Sequence, residues 1–196
     1  MNSWACYYAG DVTTDLYIRN LYGHKDLIGE IVKTGAKRIL EIGAGTGTLS
    51  IFLSQLGLEV TTLDNSPEIL RKAEITKTRL GGKNVLVAGD AFKLPFTDNS
   101  FDLIFHQGLL EHFSDEAIHQ LLREQLRVAP VVIFGVPNNF YPRKDFGNER
   151  LLGKIAWENI LRPYRVLLSQ NYSRKFFPAW YLPRAPIQYM AKLIRP

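Results

Sequence analysis

The stretch Arg38-Ile-Leu-Glu-Ile-Gly43-Ala-Gly-Thr-Gly47-Thr48 decides the fold. Arg38 to Gly43 is a short apolar run closing on glycine, the pattern of a buried strand. Gly43, Gly45 and Gly47 turn the chain. Thr48 to Leu56 then sets Leu49, Phe52, Leu53 and Leu56 at helical spacing, with Gly57 at the stop position. A strand–glycine turn–helix unit brings backbone close to a ligand and aims helix N–H groups at a polar or anionic one.

On the N-terminal side, His24 to Lys33 reads as a helix with Leu27, Ile28, Ile31 and Val32 on one face. The segment before it, through Tyr22, is rich in aromatics (Trp4, Tyr7, Tyr8, Tyr17, Tyr22) and has no clean period. On the other side, strand and helix keep alternating. Leu58 to Leu63 is a strand ending in Asp64. Ser66-Pro67-Glu68 opens a helix with a hydroxyl cap, an N1 proline and a first-turn acid, and that helix runs to Leu80 and Gly81-Gly82. Asn84–Ala88 and Phe101–Phe105 are strands, Ser114 to Arg127 a helix, and Val131–Val136 a fifth strand closed by Pro137-Asn138. Four alternations with short connections predict an α/β fold with a doubly wound, mostly parallel sheet and helices on both faces. Beyond residue 139 the pattern is looser: a helix over Asn148–Leu161, a strand over Tyr164–Tyr172, and a strand or short helix over Ile187–Ile194. Between the last two lies a proline- and aromatic-rich loop containing Phe176, Phe177, Pro178, Trp180, Tyr181, Pro183 and Pro186.

In such sheets the ligand sits beyond the carboxyl ends of the strands, near the point where strand order reverses. The residues expected there are Glu41 and the glycines, Asp64, Asp90, His106 with Gln107, and Asn138 with Asn139. Gly-x-Gly-x-Gly is followed by Thr48, so the dinucleotide fingerprint Gly-x-Gly-x-x-Gly is not met, which counts against NAD or FAD. The phosphate-loop Gly-Lys-Ser/Thr ending is missing too. Asp64, 21 residues after Gly43, can accept both hydroxyls of a ribose. Asp90 can accept from an adenine amino group while the Ala91 amide donates to the ring.

Composition bounds the rest. The chain has 196 residues, 46% hydrophobic and 22% charged, which suits one soluble domain with a sizeable core. No apolar run reaches the ~18–20 residues of a membrane span. The N-terminus lacks a basic start followed by an apolar core, so no secretion signal is expected. One cysteine, Cys6, excludes an internal disulfide and a multi-cysteine zinc site and fits a cytoplasmic location. The net charge of +5 is uneven: from Asn139 on, eleven Lys/Arg against three Asp/Glu leave +8, and the first 138 residues carry −3. A cationic segment solvates one face or favours anionic partners.

The blocks Ile39–Gly47, Leu63–Ser66, Gly89–Phe96 and Phe101–Phe113, the last carrying Phe-Asp-Leu-Ile and Leu-Leu-Glu-His-Phe, occur in an order that resembles the class I S-adenosylmethionine-dependent methyltransferases. The resemblance covers Arg38 to Asn138. It implies a seven-stranded sheet, with an antiparallel pair supplied after residue 164, and S-adenosylmethionine as cofactor. By the same resemblance Glu41 orients the loop or the cofactor ammonium, and Gly43, Ala44, Gly45 and Gly47 pack against methionine and ribose. Asp64 with Asn65 binds the ribose, Asp90 with Ala91 the adenine, and Gln107 lies beneath the sulfonium. The chain departs from the family at Arg127-Val-Ala-Pro130, where Lys-Pro-Gly-Gly is usual. Residues 1–36 then form an N-terminal lid segment, 37–138 the cofactor-binding core, and 139–196 the part that completes the sheet and acceptor lid.

Methyl transfer needs a positioned acceptor and, where required, a base. No metal is needed, and the histidines have no ligand spacing. His106 and His112 flank the expected site and are the candidate bases, each weighed against packing or capping. The Asp/Asn-Pro-Pro-Tyr tetrad of amino-group nucleic-acid and protein methyltransferases is replaced by His106-Gln-Gly-Leu109, and no Pro-Cys nucleophile exists. A small-molecule or lipid-like acceptor therefore ranks above nucleic acid, and contact with an anionic membrane surface stays open. Two alternatives remain: a cofactor-binding regulatory protein without transfer activity, and an RNA methyltransferase using the basic segment.

Overall fold

The structure, a computed structural model, describes residues 4, 10–142, 147–172 and 186–195. Seven strands form one sheet: β1 (Arg38–Ile42), β2 (Glu59–Asp64), β3 (Val85–Ala88), β4 (Leu103–Gln107), β5 (Val131–Pro137), β6 (Arg165–Tyr172) and β7 (Gln188–Ile194). Their order is β3-β2-β1-β4-β5-β7-β6. The first five are parallel, and β7 runs antiparallel between β5 and β6. The order reverses between β1 and β4, which opens the crevice where the glycine turn lies.

Six helices are described: α1 (Thr14–Gly23), α2 (Lys25–Lys33), α3 (Thr48–Gln55), α4 (Pro67–Leu80), α5 (Asp115–Val128) and α6 (Lys154–Ile160). On one face α2 and α3 pack Leu27, Ile31, Leu49 and Leu53 against Ile39, Leu103, Phe105 and Ile133. On the other, α5 and α6 pack Ile118, Leu121, Leu122 and Trp157 against Leu40, Ile104, Val132 and Phe134. The strands alternate between these layers because successive side chains point to opposite faces. The capping signals act as read. Ser66 accepts from the Ile69 amide, Ser114 accepts from the Ala117 amide, and Gly81 closes α4 with a left-handed φ of 70°.

Four local expectations change. The segment read as lacking a period contains α1, which buries none of its residues; its Thr13 cap and bonds from Tyr17 to Gln55 and Asn20 to Thr48 hold it. β4 begins and ends two residues later than expected, so His106 and Gln107 are strand residues rather than loop residues. α6 is shorter than expected, with Gly153 at its N-cap and no helix over 148–153. Ile187–Ile194, read as strand or short helix, is strand, β7, from Gln188.

The unusual Arg127–Pro130 turn is held by other means. The Asn99 and Phe101 amides donate to the Arg127 and Val128 carbonyls, and Arg195 Nε donates to the Leu126 carbonyl at 2.5 Å. These bonds satisfy carbonyls that a helix C-terminus leaves open. Gly135 of β5 is a close-approach position, since a Cβ there would collide with the Tyr172 hydroxyl. Cys6, Tyr7, Tyr8 and the expected lid residues Phe176 to Pro183 lie outside the described residues.

Candidate active site

Two adjoining cavities, about 260 and 520 Å³, lie beyond the carboxyl ends of β1 to β4. They share Trp4, Gly43, Gly45, Gln107, Gly108 and His112 as a common wall. The glycine turn forms the floor between them. Gly43, Gly45 and Gly47 have φ of 79°, 50° and 71°, a left-handed backbone that side-chain-bearing residues adopt at a cost. The Gly43 amide donates to the Leu63 carbonyl (2.8 Å) and the Gly47 amide to Ala44 (2.7 Å), which ties the turn to β2 and leads into α3.

Glu41 is buried on the face of β1 that meets α3, where the Ser50 hydroxyl donates to it. Burial pushes its carboxyl up to about 8, and Asp64 adds to the shift. Asp64, at the end of β2, is half-buried and lines the larger cavity with Asn65. Its Oδ1 accepts from the Ser66 amide at 2.9 Å, and the Ala44, Gly45 and Asn65 amides nearby favour its charged form. Burial raises this carboxyl, and the amides draw it back down.

Asp90 accepts from the Phe92 amide at 2.9 Å in a tight turn, and Ala91 and Phe92 line the same cavity. Ile69, Leu109 and Phe113 give that cavity apolar walls, and Phe92 meets Phe113 edge-on at 5.4 Å. This larger cavity thus pairs carboxylates at two strand ends with a flat apolar slot. Gln107, the last residue of β4, reaches both cavities.

The two candidate bases separate. His106 lines neither cavity. It points to the α5 face, fully buried, with its ring stacked on Phe134 (5.6 Å, 9°) and Nε2 3.3 Å from Gln125 Oε1. Burial pushes it down to about 3. The shifted register of β4 is the cause: its side chains alternate, so Phe105 and Gln107 face α3 while His106 faces the core. The expectation of His106 as a base is therefore withdrawn. His112 ends a single 3-10 turn, Leu110–His112, and lines both cavities. Its Nδ1 lies 2.7 Å from Asn148 Oδ1, and the ring is 5.0 Å from Trp4 at a right angle. Asn138 also departs from its expected place at the ligand: it is buried, and its amide donates to the Pro186 and Gln188 carbonyls, clamping β5 to β7.

The structure adds residues that the sequence reading did not select. Glu111 and Glu149 are buried in the smaller cavity, 2% and 5% exposed, beside His24, Asn20, Tyr141 and Gln188. Burial pushes Glu111 up to about 8, reinforced by Glu149, and pushes His24 down to about 4. Glu111 carried one available signal, its adjacency to His112. Glu149 had none, because it sits in a segment without periodicity. Among the described residues no cluster of three or more His, Cys, Asp or Glu is arranged to hold a metal ion.

A family profile described as "Methyltransferase domain" matches residues 39–130. The demethylmenaquinone methyltransferase of Thermotoga maritima is 36% identical over 173 residues, covering 85% of this chain and 69% of that protein. The norajmaline N-methyltransferase of Rauvolfia serpentina is 35% identical over 104 residues, covering 50% of this chain but only 35% of that protein. In fold, the chain is similar to the magnesium protoporphyrin IX methyltransferase of Synechocystis PCC 6803, solved with bound SAH. The TM-score is 0.70 at 16% identity, over 98% of this chain and 93% of that one. A Pyrococcus horikoshii protein matches with a TM-score of 0.74 at 19% identity, over 95% and 94% of the two chains.

The alternating α/β architecture and its glycine-floored crevice are those of a class I methyltransferase. The chain belongs to the S-adenosylmethionine-dependent methyltransferases, and S-adenosylmethionine is its cofactor.

Proposed function

We propose that the larger cavity holds the adenosine of S-adenosylmethionine, the smaller one its methionyl part, and that a small-molecule acceptor enters at the far end of the smaller cavity. The residues fit the group. The left-handed glycines 43 and 45, which line both cavities, put no side chain into the cleft, so a ligand can approach the backbone closely. The single observation that carries the reading is Asp64. A half-buried carboxylate at the end of β2, held by the Ser66 amide, lines a cavity with apolar walls. Such a carboxylate accepts ribose hydroxyls. Asp90 and Ala91 then meet the adenine edge, between Ile69 and Phe113. Glu41 and Gln107 lie along the methionyl end. When bound, the cofactor supplies a methyl group on sulfonium sulfur. The chain's own part is to orient it, exclude water with Trp4 and Leu109, and present the acceptor. His112, which touches both cavities, is the residue placed to steer or deprotonate an acceptor.

A small-molecule acceptor is favoured by the size of the inner cavity, about 260 Å³, and by its acidic rather than basic lining. The test is a transfer assay with S-adenosylmethionine labelled on methyl, offered to small-molecule amines, phenols and quinols and, separately, to RNA. Label in a small molecule is the expected result. Label in RNA alone, with activity falling steeply as salt rises, would overturn it, because phosphate contacts release counterions.

A further inference from the structure

β6 closes one edge of the sheet, beside β7, and α6 packs on it where the Ser169 hydroxyl donates to Glu158 at 2.7 Å. The outward side of this unit carries large apolar side chains. Ile155 of α6 is 76% exposed, and Leu167 and Val166 of β6 are 53% and 37% exposed. Leu167 stands out because a bulge falls between Val166 and Leu168: those two pair with Leu193 and Lys192, and Leu167 is left out of the ladder. Lone exposed aliphatic residues are ordinary, whereas a patch of them rimmed by charge marks an interaction surface.

The rim is cationic. Arg162, in the turn from α6 to β6, donates to Asn159 Oδ1 at 2.9 Å, and Asn159 lies one helical turn beyond Ile155. Arg165 opens β6 next to Val166. Both arginines are exposed, and neither forms an ion pair among the described residues. Arg123 approaches the same turn from α5: burial raises the Tyr164 hydroxyl, and the Arg123 charge opposes that rise. Glu158, the acid carried by α6, is engaged by Lys154 at 3.6 Å and by Ser169.

The cations select an anionic partner, and the aliphatic side chains select one with an apolar layer to enter. A second copy paired about a two-fold axis would set this patch against itself, cations against cations. The bulge also breaks the regular edge that strand pairing uses. RNA would meet the arginines through its phosphates but gains from aromatic stacking rather than from isoleucine or leucine. An anionic bilayer answers both features, since its headgroups take the guanidinium groups and its acyl boundary takes Ile155 and Leu167.

We propose that the α6–β6 edge rests on an anionic membrane surface. The chain leading into α6 supplies Glu149 and Leu151 to the smaller cavity, so the contact lies one short segment from that cavity.

Co-sedimentation of the full chain with lipid vesicles tests this. Vesicles of phosphatidylcholine and phosphatidylglycerol in equal parts should bind the protein, pure phosphatidylcholine should not, and binding should weaken as salt rises. A basic residue at an anionic surface strengthens binding about fivefold, so Arg162→Gln with Arg165→Gln should weaken it about 25-fold. Ile155→Ser with Leu167→Ser should weaken it about tenfold. Arg71→Gln with Lys83→Gln removes equal charge from exposed positions at the far, β3 edge and should change binding less than about twofold. Thermal unfolding followed by circular dichroism should show all three variants folded. Absence of binding to the mixed vesicles, equal binding to pure phosphatidylcholine, or an equal loss from the β3-edge pair would overturn the proposal. So would preference for polyuridylate RNA that the Ile155/Leu167 variant retains in full, or a dimer in sedimentation velocity that this variant abolishes.

Discussion

Replacing Asp64 tests the cofactor site at its most specific point. The carboxylate has two duties that substitution can separate. One is inward: Oδ1 accepts the Ser66 amide, and the Ala44, Gly45 and Asn65 amides nearby favour its charged form. The other is outward, toward the larger cavity, where the proposed cofactor would offer two ribose hydroxyls. Asp64→Ala removes both. A hydrogen bond to a charged group contributes about 1.5–3 kcal/mol, so affinity for S-adenosylhomocysteine should fall about 10- to 150-fold. Asp64→Asn keeps one acceptor oxygen and the turn but loses the charge, and should lose about 1–1.5 kcal/mol, or roughly five- to tenfold. The assay is calorimetry well below the unfolding temperature, with thermal melts to confirm that each variant is folded. The ordering wild type, Asn, Ala is itself a prediction. A folded Asp64→Ala variant that binds S-adenosylhomocysteine as tightly as the wild type would refute the assignment of the ribose to this carboxylate.

Two other outcomes follow from buried groups. His106→Phe should keep the stack on Phe134 but strand the Gln125 side chain, whose Nε2 already lacks a partner, and so cost about 1–3 kcal/mol of stability in urea unfolding. The double variant with Gln125→Leu should return to within about 1 kcal/mol of wild type. Neither should change S-adenosylhomocysteine affinity, and a binding loss would return His106 to the site. Stability should also trace a dome with pH. Glu41 and Glu111 are raised from 4.5 to about 8, so folding takes up protons and stability falls as pH rises toward 8. His24 and His106 are lowered from 6.5 to about 4 and 3, so stability falls as pH drops below 6.5. The two pairs oppose each other between pH 4.5 and 6.5. Ligand-free protein should therefore be most stable in that interval and lose more than about 1 kcal/mol between pH 6.5 and 8. Constant stability across that upper range would show that these carboxyls are not held protonated.

The crevice around the glycine turn was legible because it is local. Glycine turn, Asp64 and Asp90 each sit at the end of a strand that an apolar run announces, and parallel topology brings strand ends together. The facing of His106 was not legible. β4 is buried on both sides, so Leu103-Ile-Phe-His106 shows no alternation from which a direction could be read. α1 escaped because its stability comes from a Thr13 cap and polar bonds to α3 rather than from an apolar stripe. The acceptor end was hidden for another reason. Glu111, Glu149 and Gln188 come from a 3-10 turn, an irregular segment and an antiparallel strand, and only the folded chain brings them to one cavity.

The central claim is that the glycine-floored crevice is a sulfonium-nucleoside site, and direct calorimetric titration with S-adenosylmethionine, S-adenosylhomocysteine and NAD tests it. One molecule of either sulfur nucleoside should bind per chain, and NAD should not, because Thr48 stands outside the dinucleotide glycine pattern. Binding of NAD alone, or of none of the three, would contradict the account.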